Sequence, residues 1–229
     1  MRHLPLFASL MMLAVVFLEL SCSPKLAKAQ NYPQSAALDP VQKEELLSLL
    51  FPSFPKISAS NIEQELQPYV LVNGKAHAMP QFIQFDNALH QQWRMNKLDF
   101  VPFWKIKSAP NVDILFMEGY GYAGPVWAYI LFNETDQTVM DIRFFHKKET
   151  LSYGDEIRKD WYQEQYAGAK LASGGQLNLM DNPKREVYTF GGVKLDGASG
   201  STVTNNGIQA MFNHMLANYE PLILSSQNQ

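Results

Sequence analysis

Four apolar segments in series, Phe100–Ile106, Val112–Met117, Val126–Phe132 and Val139–Phe145, limit what this chain can fold into more than any other feature. Each is rich in β-branched and aromatic residues and of strand length, and the last two are joined by the turn Asn133-Glu134-Thr135-Asp136-Gln137. Helical periodicity appears only around them. A helix is expected from about Glu156 to Tyr166, carrying Ile157, Trp161, Tyr162 and Tyr166, and Val187–Phe190 returns as a strand. A last helix is expected from about Gly207, where Ile208, Met211, Phe212, Met215 and Leu216 recur at helical spacing. Consecutive strands with helices appended predict the α+β class, an antiparallel sheet with helices packed against it.

The region before these strands is mixed. Residues 30–40 are polar with two prolines and read as a linker. Asp39-Pro40 supplies an N-cap and a first-turn proline for a helix whose apolar stripe is Val41, Leu46, Leu47 and Leu50, stopped by Pro52. Tyr69–Val72 followed by Asn73-Gly74 is a hairpin signal, and residues 82–97 are either helix or loop. The expected organisation is a segment 1–29, a linker and mixed region 30–99, a domain over 100–224 and a tail at 225–229.

Arg2 and the apolar run Leu4–Leu18 mark residues 1–29 as an export segment, because about fifteen apolar residues fall short of the roughly twenty that span a bilayer. Three readings are open: cleavage after Ala27-Lys28-Ala29, lipidation of Cys22, or an uncut anchor. All three place the remainder in the cell envelope, outside the cytoplasmic membrane, associated with it if the segment is uncut or lipidated. Cys22 is the single cysteine, so no disulfide framework or cysteine-based metal site is expected. His77, His90, His146 and His214 are scattered and no HExxH pattern occurs, so no metal is expected. A net charge of -3 with no Lys/Arg block argues against nucleic acid as a partner. Glu149, Asp155 and Glu156 read as a solvated charged face.

The most informative stretch is Asp196-Gly-Ala-Ser-Gly-Ser-Thr-Val-Thr-Asn-Asn-Gly207. Glycines and small hydroxyl residues at a helix entrance let a ligand approach the backbone closely, and the amides there favour a phosphate. Thr202 would hold a hydroxyl at that phosphate, Ser199, Ser201 and Thr204 would add hydrogen bonds, and Asn205 or Asn206 would cap the helix. A plain capping turn is the competing reading. The loop lacks the lysine and spacing of a nucleotide triphosphatase loop.

Asp196-x-x-Ser199-Gly200-Ser201-Thr202 resembles the D-x-x-[ST]-G-A-[TS] signature of FMN-binding domains, in which a flavin transferase esterifies FMN to the last hydroxyl residue. Upstream, Gly119-Tyr-Gly-Tyr-Ala-Gly-Pro-Val-Trp-Ala-Tyr-Ile130 and His146-Lys-Lys-Glu-Thr-Leu-Ser-Tyr-Gly-Asp-Glu-Ile157 resemble, in the same order, motifs of the C subunit of the sodium-translocating NADH:quinone reductase, with the G subunit of the Rnf complex a more distant relative. The resemblance implies an FMN-binding electron carrier, with FMN phosphoester-linked to Thr202 and no catalytic side chain of its own. It implies cofactor contacts from Asp196, Ser199, Gly200, Ser201 and Thr204 and from Thr150, Tyr153 and Gly154. It also implies membrane subunits of a respiratory complex as partners and a flavin transferase for maturation. Two positions depart from the pattern: Ser201 stands where alanine is usual, and Leu151-Ser152-Tyr153 where the family has Pro-Gly-Leu. The alternative they motivate is a secreted or lipidated binding module of the same fold without the covalent flavin.

Overall fold

The computed structural model describes residues 23–95, 97–151, 154–171, 178–180 and 187–225. Helix α1 (Pro24–Gln30) is followed by β1 (Gln34–Ser35), α2 (Pro40–Leu50), α3 (Ile62–Glu65) and the hairpin β2 (Leu66–Val72) and β3 (Lys75–Ala78). Next come β4 (Phe82–Ile83), α4 (Asn87–Arg94) and the long antiparallel run β5 (Val101–Ile106), β6 (Ala109–Tyr120), β7 (Pro125–Asn133) and β8 (Thr138–His146). A 3-10 turn (Gly154–Arg158), α5 (Asp160–Gln163) and a second 3-10 turn (Glu164–Tyr166) lead to β9 (Asn178–Met180), β10 (Val187–Phe190), β11 (Val193–Asp196) and α6 (Thr202–Ser225).

Six strands form one antiparallel sheet in the order β3-β2-β5-β6-β7-β8, and β11-β10-β9 form a smaller one, as the α+β reading requires. Strands β2 and β3 lie before residue 100 and are hydrogen-bonded into the same sheet as β5–β8. Their connection is the expected two-residue turn: Asn73 and Gly74 have φ of 50° and 77°, the left-handed pair that matches the twist of a tight hairpin. Asp39 caps α2 by accepting from the amides of Val41 and Gln42, and α2 buries Leu46, Leu49 and Leu50. Val41, expected in its apolar stripe, is 61% exposed. The ambiguous stretch 82–97 contains α4, capped by Asp86, which accepts from Leu89 N at 2.8 Å.

Alternation along the strands assigns the helices to opposite faces. Phe116 meets Trp93 of α4, and Trp127, directly across from Glu118, donates its indole N–H to Glu45 of α2 at 3.0 Å. Gly119, of opposite parity, packs on Met211 of α6. The α6 face is built from Ile208, Met211, Phe212, Met215 and Tyr219, all buried, with Phe212 stacked on Tyr166 at 5.2 Å. The Tyr219 hydroxyl donates to the Pro102 carbonyl at 2.7 Å and accepts from Phe116 N at 3.2 Å, where β5 and β6 have stopped pairing. At the outer edge, Gln163 Oε1 accepts from Phe144 N of β8 at 2.8 Å.

Two helical expectations are corrected. The segment 156–166 is a short α-helix between two 3-10 turns rather than one helix. The last helix begins at Thr202 and not near Gly207, because its first turn is fixed by polar contacts that carry no apolar periodicity.

A cavity at the N-terminus of the last helix

Gly200 turns the chain through a left-handed φ of 71°, after which the Ser201 carbonyl accepts from Asn205 N at 2.9 Å and starts α6. Asn205 is not the cap. It lies one turn inside and grips Ala198 in both directions, Nδ2 donating to the Ala198 carbonyl at 2.9 Å and Oδ1 accepting from Ala198 N at 3.1 Å. Asn206 is exposed within the helix. Asp196, at the end of β11, is anchored by Gln165, whose Oε1 accepts from Asp196 N at 2.6 Å. The loop is thereby folded back over the first helical turn, whose backbone N–H groups have no intrahelical acceptors.

Beside that turn lies a cavity of about 290 Å³ lined by Tyr122, Glu149, Thr150, Gly154, Gly200, Ser201, Thr202, Val203 and Thr204. Six of the residues singled out from sequence meet here: Thr150, Gly154, Gly200, Ser201, Thr202 and Thr204. Ser199 and Asp196 belong to the approaching loop and do not line it, and Tyr153 falls outside the described residues. Thr202 and Thr150 are exposed, as is Tyr122 at 74%, so the cavity opens to solvent with a hydroxyl at its rim and an aromatic ring at its side. Ser201 is buried, and among the described residues its Oγ has no hydrogen-bond partner.

The expectation of a solvated face at Glu149 is overturned. Its carboxylate is buried, with Oε2 accepting from the Thr204 hydroxyl at 2.8 Å and Oε1 from Ala123 N at 2.9 Å. The Thr204 hydroxyl also accepts from Tyr122 N at 3.3 Å. The space for that carboxylate is left by glycine, since a Cβ on Gly121 or Gly154 would overlap it. The backbone N–H of Glu149 donates to His146 Nδ1 at 3.1 Å, which leaves Nε2 as the protonated nitrogen, facing Asp155 Oδ1 at 2.9 Å. A charge-run reading of 146–156 misses this, because the partners come from residues 121–123 and 204. Sequence reasoning misses Tyr122 and Val203 as wall residues for the same reason.

A larger cavity of about 600 Å³ lies between α2 and β7–β8, lined in part by Glu45, Trp127, Arg143 and Lys147. Its lining carries a single hydroxyl, Ser48, and no run of small residues, whereas the smaller cavity is lined by Thr150, Ser201, Thr202 and Thr204. Among the described residues there is no cluster of three metal-ligating side chains, and no helix is long and apolar enough to cross a membrane.

The donor set fits a phosphorylated flavin. A hydroxyl at a helix N-terminus suits a phosphate or its ester, and the open remainder, bounded by Tyr122, Thr150 and Gly154, suits a flat ring. Comparison with known proteins agrees. Residues 121–217 match the FMN-binding domain family, a span that contains every residue lining the cavity. The C subunit of the Na(+)-translocating NADH-quinone reductase of Chlamydia trachomatis is 28% identical over 185 residues, covering 71% of this chain and 55% of that protein. Its counterpart of the same name from Vibrio alginolyticus is 30% identical over 108 residues, 45% of this chain and 40% of that protein. This chain therefore spans about half the length of the curated relatives it matches. Among solved structures, the C subunit of the Parabacteroides distasonis Na(+)-translocating NADH-quinone reductase superposes with a TM-score of 0.57 at 21% identity, over 88% of this chain and 97% of that one. NqrC of Shewanella oneidensis gives 0.62 at 14% identity, over 82% and 99%. At those identities the likeness establishes the fold. Residues 121–217 thus resemble an FMN-binding domain, and the chain is similar, in sequence and in fold, to the C subunits of Na(+)-translocating NADH-quinone reductases.

Proposed function

We propose that this protein is an exported electron carrier that holds FMN through a phosphoester to Thr202, working as the component of a sodium-translocating NADH:quinone reductase that the C subunit represents in its relatives. The observation that carries the reading is the convergence of Thr202, Thr204, Thr150 and Gly154 on one solvent-open cavity at the start of α6. When bound, the flavin supplies the redox chemistry, accepting and passing on electrons. The protein supplies binding, orientation and a fixed electrostatic environment.

Each part of the cavity has a role in this reading. Thr202 is exposed, as an acceptor must be for a flavin transferase to reach it. Gly200 lets the backbone approach the phosphate, and the first-turn amides of α6 oppose its charge. Tyr122 and Thr150 border the space left for the ring. Esterification makes cofactor loss require bond cleavage, an advantage outside the cytoplasm, and the export reading of residues 1–29 puts the domain there. Partners would be the membrane subunits of the complex.

The test is maturation with a flavin transferase, followed by fluorescence of the denatured protein in a gel. The wild type is expected to fluoresce and Thr202→Ala to be dark while folding normally. A folded wild type that stays dark beside a working transferase contradicts the proposal.

A further inference from the structure

We propose that Glu149 is a positioning residue of the flavin cavity, one that ties its walls together and lowers the reduction potential of the bound ring. The proposal rests on the flavin reading above.

The carboxylate joins three segments that are distant in sequence. It stands three residues beyond the end of β8, takes a hydrogen bond from Ala123 N in the β6–β7 turn, and takes another from Thr204 in the first turn of α6. Tyr122 N donates in turn to Thr204, so the turn and the helix are bonded to each other and to Glu149. Gly121 and Gly154 both lack the Cβ that would overlap its oxygens. Such glycines on two sides, with a donor for each oxygen, make a seat built for a carboxylate and not a chance burial. Its own amide is held by His146, which faces Asp155, so the main chain at Glu149 is fixed as well.

The same seat leaves charge in the wall. Among the described residues Glu149 makes no ion pair: its two oxygens are met by a hydroxyl and an amide, neither of which carries a positive charge. A buried negative charge that is hydrogen-bonded but unpaired is screened less on its protein side than a solvated carboxylate, and so acts more strongly on a group lying against that wall. It repels the phosphate, which has Thr202 and the helix amides to bind, and it tolerates the uncharged oxidised ring as a neighbour. Adding electrons to that ring then costs more beside Glu149 than it would beside a neutral group.

The measurement is reductive titration of protein matured with a flavin transferase, with flavin attachment scored separately on the denatured chain. In Glu149→Gln the amide still accepts from Ala123 and still reaches Thr204, so attachment is expected to persist. The equilibrium constant for reduction is expected to rise at least tenfold, about 30 mV for a two-electron couple. Thr204→Val removes one donor from the carboxylate and is expected to shift the constant the other way, about threefold. A loaded Glu149→Gln with an unchanged potential overturns the proposal, and so does a folded Glu149→Gln that takes up no flavin. Should Glu149→Gln not fold, Thr204→Val decides, and an unchanged potential there overturns it. A wild type without flavin overturns the functional reading itself, and is recognised before any variant is compared.

Discussion

Replacing Gly207 by alanine sets two effects of opposite sign against each other. Inside a helix, alanine is favoured over glycine by about 1 kcal/mol, so propensity alone predicts stabilisation. The structure predicts the reverse. An alanine Cβ at 207 would lie 1.8 Å from the Tyr120 carbonyl oxygen, at the end of β6. Reaching an ordinary C···O separation of about 3.3 Å needs the helix and the strand end to part by roughly 1.5 Å. The obstacle is backbone on both sides, which no rotamer change relieves, so the cost belongs near the top of the overpacking range, about 3 kcal/mol. The net is a loss of about 2 kcal/mol, equivalent to a fall of roughly 4–8 °C in Tm for a chain of this size. Thermal and urea unfolding of the unloaded protein would measure it, with Asn206→Ala, exposed in the same turn, as the control in which propensity acts alone. A Gly207→Ala protein as stable as the wild type would refute the close approach of α6 to the β6–β7 turn, and with it the geometry of the cavity.

Ser201→Ala removes a buried hydroxyl without a partner among the described residues and is expected to stabilise the unloaded protein by about 1 kcal/mol, a gain of roughly 2–4 °C in Tm. A loss of stability there would show that the hydroxyl is satisfied in solution. Burial raises the Glu45 carboxyl from 4.5 to about 7. Between those values the folded state holds a proton that the unfolded state has released, so stability falls as pH rises from about 4.5 to about 7 and stays reduced above. Glu45→Gln, which keeps an acceptor for the Trp127 indole, is expected to remove that fall, worth roughly 3 kcal/mol at about pH 8, and parallel pH profiles for the two proteins would contradict it.

The sheet was legible because each strand carries its own signal. The segments from Phe100 to Phe145 are apolar, of strand length and separated by short connections, and Asn73-Gly74 specifies its turn through two positive φ values that few other residues accept. The loop before α6 was legible for the same local reason, since small residues at a helix entrance restrict what the backbone can do. What stayed hidden depends on distant partners. Glu149 looks like one charge in a run of charges until Gly121, Ala123, Gly154 and Thr204 surround it. The first turn of α6 has no apolar stripe, its order coming from Asn205 reaching back to Ala198, so periodicity alone starts the helix one turn late. The 156–166 helix is broken for a similar reason: Gln163 is drawn to the edge of β8, a demand that the sequence does not announce.

The most direct test is the mass of the peptide containing Thr202, from protein matured with a flavin transferase. The account predicts an increase of one FMN less one water, located on Thr202 and absent from Thr202→Ala. An unmodified Thr202 peptide from folded protein, with the transferase shown to be active on another substrate, would contradict it.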